Sequence, residues 1–435
     1  MAVYLEAMPI PDLLPPERRP KSLPELLDIA LSNNPETRTA WWNAQRAAAS
    51  RAFVATDYSP KIRFHGDVIQ SRDYKFPNGD ETTFTCIDAD IILGYLLYDF
   101  GERNAKNAAA KAALLGVQWQ SNWTIQKVMH NVISQTYIYL NAREILQSRI
   151  ASLHDAQTAL KASQELQAAG LRSITDVYTM KAAIADMEIA IALQKAETAI
   201  SQGKLAANMG LEVDADVRVM ELPDPNKDEI ENDSLYCLIE EANLKRADLM
   251  AKRSELQQKY ALMDKAAAQY KPKINFNAAG GYKRYLHDKR SHDHGGYYRL
   301  VLNFDMPLYD GFEAIYQNRI ALSDAQATGA ELERLELEIA MEILSYSKLF
   351  EAAKEILSLA QESLQNSMKT FDGTLEKYKA GTQSIFDLIA AQKQLAEARI
   401  KHGEAKTRWY RSLAQLAYAT GTISQFTEDP CVTTY

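Results

Sequence analysis

The sequence predicts a mainly α-helical protein with a β-barrel part, built from one unit used twice. Three observations carry this. First, local signals return half a chain later. Tyr58-Ser59-Pro60-Lys61-Ile62 returns as Tyr270-Lys271-Pro272-Lys273-Ile274 (270 − 58 = 212), and Leu97-Tyr98-Asp99 as Leu308-Tyr309-Asp310 (308 − 97 = 211). Ala169-Gly170-x-x-Ser173-Ile174-x-Asp176 returns as Ala380-Gly381-x-x-Ser384-Ile385-x-Asp387 (380 − 169 = 211). A near-constant offset marks a duplicated unit of about 210 residues. Second, each copy holds two stretches of apolar–polar alternation. Third, each copy holds a heptad stretch too long for a globular core.

Composition narrows the field. Charged residues are 24% and hydrophobic ones 46%, which excludes a disordered chain and a helical membrane protein. The longest apolar run, Ile91 to Leu97, is far short of the ~20 residues of a membrane helix. The net charge of −8, with no basic block, argues against nucleic acid as a partner. Cys86, Cys237 and Cys431 have no metal-ligand spacing, and a Cys237–Cys431 disulfide stays open. Residues 1–21 show no secretory leader and read as an extended proline-rich tail.

Repeat 1 covers 22–213 and repeat 2 covers 234–421, with an acidic, proline-containing linker at 214–233 and a tail at 422–435. Each repeat opens on one amphipathic helix, Leu23 to about Tyr58 and Leu235 to about Tyr270, with Ser22 and Ser234 as N-caps and Glu25 completing a capping box. Pro60 and Pro272 end these helices, because proline drives the preceding residue to extended geometry. Strands are expected at 61–72 and 82–97, and at 273–284 and 297–308. Each has an apolar and a polar face, and either a core or lipid could cover the apolar one. The chain offers no other element of suitable length to do so, which tilts the choice to lipid.

Long helices follow at 104–168 and 312–379. At 1.5 Å per residue each spans on the order of 100 Å. Ile125, Val132, Tyr139, Leu146, Leu153 and Leu160 recur every seven residues, as do Ile343, Phe350, Leu357, Leu364, Phe371 and Tyr378. That period packs helices as a left-handed coiled coil. Gly170 and Gly381 close the helices, and the S-x-x-D boxes Ser173/Asp176 and Ser384/Asp387 start return helices running to Gly210 and Gly421. Four membrane-type strands per chain cannot close a barrel, for which about eight is the minimum. Three copies supply twelve. The sequence therefore predicts a homotrimer, with a twelve-stranded transmembrane β-barrel in the outer membrane and long helices forming an α-barrel in the periplasm.

These residues resemble the TolC family of outer membrane efflux and secretion ducts over about 22–421. The Y-x-P-K-I strand starts, the L-Y-D turns and the paired A-G-x-x-S-I-x-D tips carry the resemblance, twice each and in order. It implies an exit duct of a tripartite efflux pump or type I secretion system. Its partners would be a periplasmic membrane-fusion adaptor, an inner-membrane pump of RND, MFS or ABC type, and outer membrane lipid.

The resemblance places adaptor docking at Gly170, Leu171, Ser173, Gly381, Thr382 and Ser384, residues that also read as plain hairpin caps. It places a gate at Thr175, Asp176, Tyr378 and Gln383, with Asp387 as an acid ring. Two departures stand out. The family's gating arginine appears as Gln383, which weakens the expected lock to Asp176, and a second acid position falls on Ala390. Asp88, Asp90, Arg299 and Asp305 would line a wet lumen. Tyr98 and Tyr309 read equally as interfacial anchors or turn residues.

His287, Asp288, His292, Asp293 and His294 read as a surface loop, with metal binding as the other reading. No phosphate loop, catalytic triad or zinc spacing is visible, so neither enzyme activity nor a cofactor is expected. The competing functions are a soluble coiled-coil scaffold and an enzyme using the His/Asp loop.

Overall fold

The computed structural model of the chain describes residues 19–75, 80–221, 225, 234–286 and 294–424. The proline-rich tail before residue 19, most of the linker, His287 to Asp293, and the C-terminal tail from 425 with Cys431 lie outside them. Repeat 1 contains α1 (Leu23–Asn33), α2 (Pro35–Ala55), β1 (Lys61–Lys75), β2 (Asp80–Tyr98), α3 (Glu102–Ala168) and α4 (Ile174–Asn208). Repeat 2 contains α5 (Leu235–Lys245), α6 (Ala247–Gln269), β3 (Lys273–Leu286), β4 (His294–Asp305), α7 (Glu313–Lys379) and α8 (Ile385–Thr420). The chain divides into two compact units, one of Met1–Trp42, Gln120–Asp248 and Leu335–Tyr435, the other of Asn43–Trp119 and Leu249–Arg334.

The first unit is helical. Its larger core joins Leu26 and Leu27 of α1, Val132, Ile133 and Tyr137 of α3, Leu205 and Met209 of α4, Phe350 and Leu357 of α7, and Trp409 and Tyr410 of α8. A second core joins Ala156 and Ala159 of α3, Met180 of α4, Phe371 and Tyr378 of α7, and Ile385, Leu388 and Leu395 of α8. Heptad residues therefore supply both, and each fully buried large side chain contributes about 1.5–3 kcal/mol. Cys237 is a free thiol here.

The expected single first helix is two helices in each copy, broken at Asn34 and Arg246 (246 − 34 = 212). Asn34 precedes Pro35 and is extended, with ψ 129°. Its side-chain carbonyl accepts from Glu36 N–H (2.7 Å) and its amide donates to Asn208 O (2.8 Å). No proline marks the second break. Arg246 holds it instead, donating to both carboxylate oxygens of Asp248 (3.0 and 2.7 Å), to Glu342 (2.6 Å) and to Ala419 O (3.1 Å). Burial alone would lower the Arg246 pKa, but Asp248 and Glu342 raise it on balance. Each break lets a return-helix glycine approach the backbone. A Cβ on Gly210 would meet Asn33 O at 2.6 Å, and one on Gly421 would meet Lys245 C at 2.9 Å.

The second unit carries one antiparallel sheet in the order β1-β2-β3-β4. The two hairpins join through β2 and β3, with a register shift between Leu96 and Tyr98. β4 ends at Asp305 rather than Leu308, because Pro307 has no N–H to donate and holds Met306 out of regular pairing. At its other end Gly295 and Gly296 pair with Lys283 and Tyr282, which starts the strand before the expected 297. One face is apolar and open: Phe64 is 77% exposed, Leu302 67% and Tyr298 81%. Cys86 is a buried free thiol.

Removing Arg246 takes one partly buried guanidinium away from both Asp248 and Glu342. We expect Arg246→Met to destabilise the helical unit by about 3 kcal/mol. Lys348→Ala, at the exposed Lys348–Glu351 pair, should cost less than about 1 kcal/mol. Chemical denaturation of the two variants in detergent checks the contrast.

Candidate functional site

The two tip turns have the same backbone. α3 ends as Leu171 N–H donates to Leu166 O and Gly170 N–H to Gln167 O, both at 2.9 Å. α7 ends the same way, Thr382 N–H to Lys377 O and Gly381 N–H to Tyr378 O, both at 3.0 Å. Gly170 (φ 73°) and Gly381 (φ 79°) take the left-handed conformation this motif needs. Their caps differ. Ser384 and Asp387 form the full capping box: Asp387 N–H donates to Ser384 Oγ (3.2 Å), and Ser384 N–H and Oγ–H donate to Asp387 Oδ2 (3.3 and 2.6 Å). At the first turn Ser173 Oγ instead accepts from Thr175 N–H (3.2 Å) and donates to the Thr175 hydroxyl (3.1 Å). The box expected at Asp176 is thus replaced by a bond to the adjacent threonine.

The turns meet through a residue that the sequence pattern left as a blank. Arg172 Nη2 donates to Gly381 O (3.2 Å) and Gln383 O (2.5 Å). Its guanidinium carbon lies 5.2 Å from the centre of the Tyr378 ring. Tyr378 is fully buried, and its hydroxyl has no hydrogen-bond partner among the described residues. The Gln383 side chain adds a small downward pull on the pKa of Asp387 on its own turn. Leu171 stands 71% exposed, and Thr382 Oγ1 donates to Lys377 O (3.0 Å). The same-offset relation of Arg172 to Gln383 (383 − 172 = 211) was the one signal that could have found the bridge.

The sheet's polar face carries a second cluster in the other unit. Asp88, Asp90, Arg299 and Asp305 all lie on it by register. Tyr297 O–H reaches Asp88 (3.1 Å) and Asp90 (3.0 Å) across Gly281, where a Cβ would meet the Asp90 Cβ at 2.5 Å. Lys283 pairs with Asp88 at 3.0 Å, and His65 lies 3.4 Å from both Asp90 and Asp67. The cluster therefore draws one or more residues from every strand. Arg299 faces Ala279 and Asp305 faces Lys273, outside this knot. Among the described residues no group of three His, Cys, Asp or Glu is placed to hold a metal, and no helix is long and apolar enough to cross a membrane.

A duplicated helical hairpin pair attached to a sheet with one apolar and one polar face defines the fold of outer-membrane channels. The solved channel OprN superposes with a TM-score of 0.81 at 18% identity, covering 92% of this chain and 90% of that one. The Campylobacter jejuni CmeC outer membrane channel gives 0.81 at 16% identity, covering 92% and 86%. Protein CyaE of Bordetella pertussis is 25% identical over 94% of this chain and 85% of its own. Outer membrane protein TolC of Salmonella enteritidis is 20% identical over 93% and 83%. The outer membrane efflux protein family matches residues 26–211 and 238–422, once per repeat, and the chain belongs to that family. It is an outer membrane efflux or secretion channel with its helical part in the periplasm, and the soluble-scaffold alternative finds no support.

The Ser384 hydroxyl first, then the Ser384 N–H and the Gln383 amide, hold the Asp387 carboxyl below its ordinary pKa. A depressed carboxylate pKa gives stability that is present above the unfolded value and lost as pH falls through the folded one. The protection of the amides in the first turn of α8, relative to their intrinsic exchange rates, should therefore hold from neutral pH down to about pH 4 and fall only below it. Asp387→Asn should remove that acid dependence.

Proposed function

We propose that three copies of the chain form one passive exit duct, with the β4 edge of each copy paired to the β1 edge of the next. The observation that carries this reading is the four-stranded sheet with an exposed apolar face and an open strand at each side. Four strands are half of what the smallest single barrel needs, and three copies supply twelve. Exposed apolar residues on the long helices support lateral contact between copies: Ile189, Leu193 and Ile200 of α4, and Leu337, Met341 and Leu349 of α7.

In this duct the tips serve two roles. Gly170, Leu171, Ser173, Gly381, Thr382 and Ser384 present the turns to a periplasmic membrane-fusion adaptor. Thr175, Asp176, Tyr378, Gln383 and Asp387 form the constriction, and three copies of Asp387 attract cations there. Asp88, Asp90, Arg299 and Asp305 line the lumen of the barrel. Energy comes from an inner-membrane pump of RND, MFS or ABC type, in a tripartite efflux or type I secretion assembly.

Mass measurement in detergent combined with planar-bilayer recording tests the duct. A trimer with discrete conductance is expected, and a stable non-conducting monomer would refute it. Asp387→Asn should reduce cation preference and block by trivalent cations. Gly170→Val with Gly381→Val strains both left-handed turns. Trimers of that double variant should still reach the membrane while transport through the assembled pump is lost, and retained transport would count against docking at the tips.

A further inference from the structure

We infer that Arg172 is the latch of the periplasmic gate: a positioning residue that ties the two tip turns of each copy by gripping main-chain carbonyls. The inference rests on the proposed placement of the gate at these tips and names what holds it shut.

Arg172 and Gln383 occupy the same position in the two copies of the turn (383 − 172 = 211). The duplicated hairpins bring these equivalent positions together, since Arg172 donates to the carbonyl of Gln383 itself. A cation in either copy could therefore bridge them, and this chain carries it in the first. The resemblance implied an arginine at Gln383, so its absence there reads as a weakened lock. The structure supplies the bridge from the opposite turn.

Three features make this contact a latch. Its acceptors, Gly381 O and Gln383 O, are main-chain carbonyls of the turn between α7 and α8, so the grip needs no side chain of that turn. Its guanidinium lies against the ring of Tyr378, which is fixed in the core with Phe371, Ile385 and Leu388. Behind it, α8 stays tied to α3 by Arg399 to Asp155 (2.7 Å) and Gln392 to Ser152 O (3.2 Å). Releasing Arg172 thus frees the turns and leaves the hairpins joined.

Gripping backbone has a consequence that a side-chain lock would not share. The Gln383 side chain should then matter less to closure than Arg172 does. Planar-bilayer recording of the full chain tests this, with heat resistance of the assembled form in detergent as the folding control. Arg172→Ala should raise the open fraction several-fold with heat resistance unchanged. Gln383→Ala should raise the open fraction clearly less than Arg172→Ala does, because the main-chain carbonyl that Arg172 grips stays in place. Arg172→Lys should fall between, because an ammonium keeps the charge but loses the planar fork and the ring stacking. Arg172→Ala combined with Gln383→Arg should restore closure by moving the cation to the equivalent position.

An unchanged open fraction in Arg172→Ala overturns the latch, as does opening by Gln383→Ala to the same extent. If the unsubstituted protein conducts nothing at all, the duct reading fails and the latch falls with it. A conducting protein indifferent to Arg172 refutes the latch alone.

Discussion

A strand in lipid must pair every backbone N–H and C=O within protein, because the hydrocarbon offers no partner. The sheet of this chain meets that requirement along β2 and β3 and leaves it unmet along the outer edges of β1 and β4. In water such edges invite aggregation, and natural proteins cover or charge them. Here they flank a face of Phe64, Leu302 and Tyr298 that water would not favour. Edge pairing between copies resolves both problems in one step, so the rest of the account depends on it. In the proposed duct it would turn the polar faces toward a lumen.

Duplication gives the chain two versions of each device, and the versions have diverged in chemistry more than in position. The break in the first helix falls at the same place in both repeats. Proline and an asparagine cap set it in one, and a buried arginine between two acids sets it in the other. Both breaks seat a left-handed glycine at the end of a return helix. The tips diverge in the same manner. One is capped by a full serine–aspartate box and the other by a serine–threonine pair, and the bridging cation comes from the first only.

Much of this was legible in the sequence because it is periodic or punctuated. Alternation located four strands, seven-residue spacing located the long helices, and glycine before S-x-x-D located both tips. What escaped was local punctuation inside a longer pattern and contact at a distance. The break at Asn34 was readable from Pro35, but the amphipathic pattern runs on across it. The break at Arg246 has no such mark, since its partners Glu342 and Ala419 are about a hundred residues or more away in sequence. Pro307 sits inside an apolar alternation that continues through Met306 and Leu308, so the strand was drawn too long at that end. Arg172 carries no motif and bonds to backbone, which no side-chain pattern records.

The central claim is that β4 of one copy pairs with β1 of another. Cysteine pairs placed along the two edges, Val68→Cys scanned against positions from Tyr298 to Phe304, test it in membranes under mild oxidation. The account predicts cross-linked products that climb to three chains and stop there. Products confined to single chains, or a ladder running past three, would contradict it.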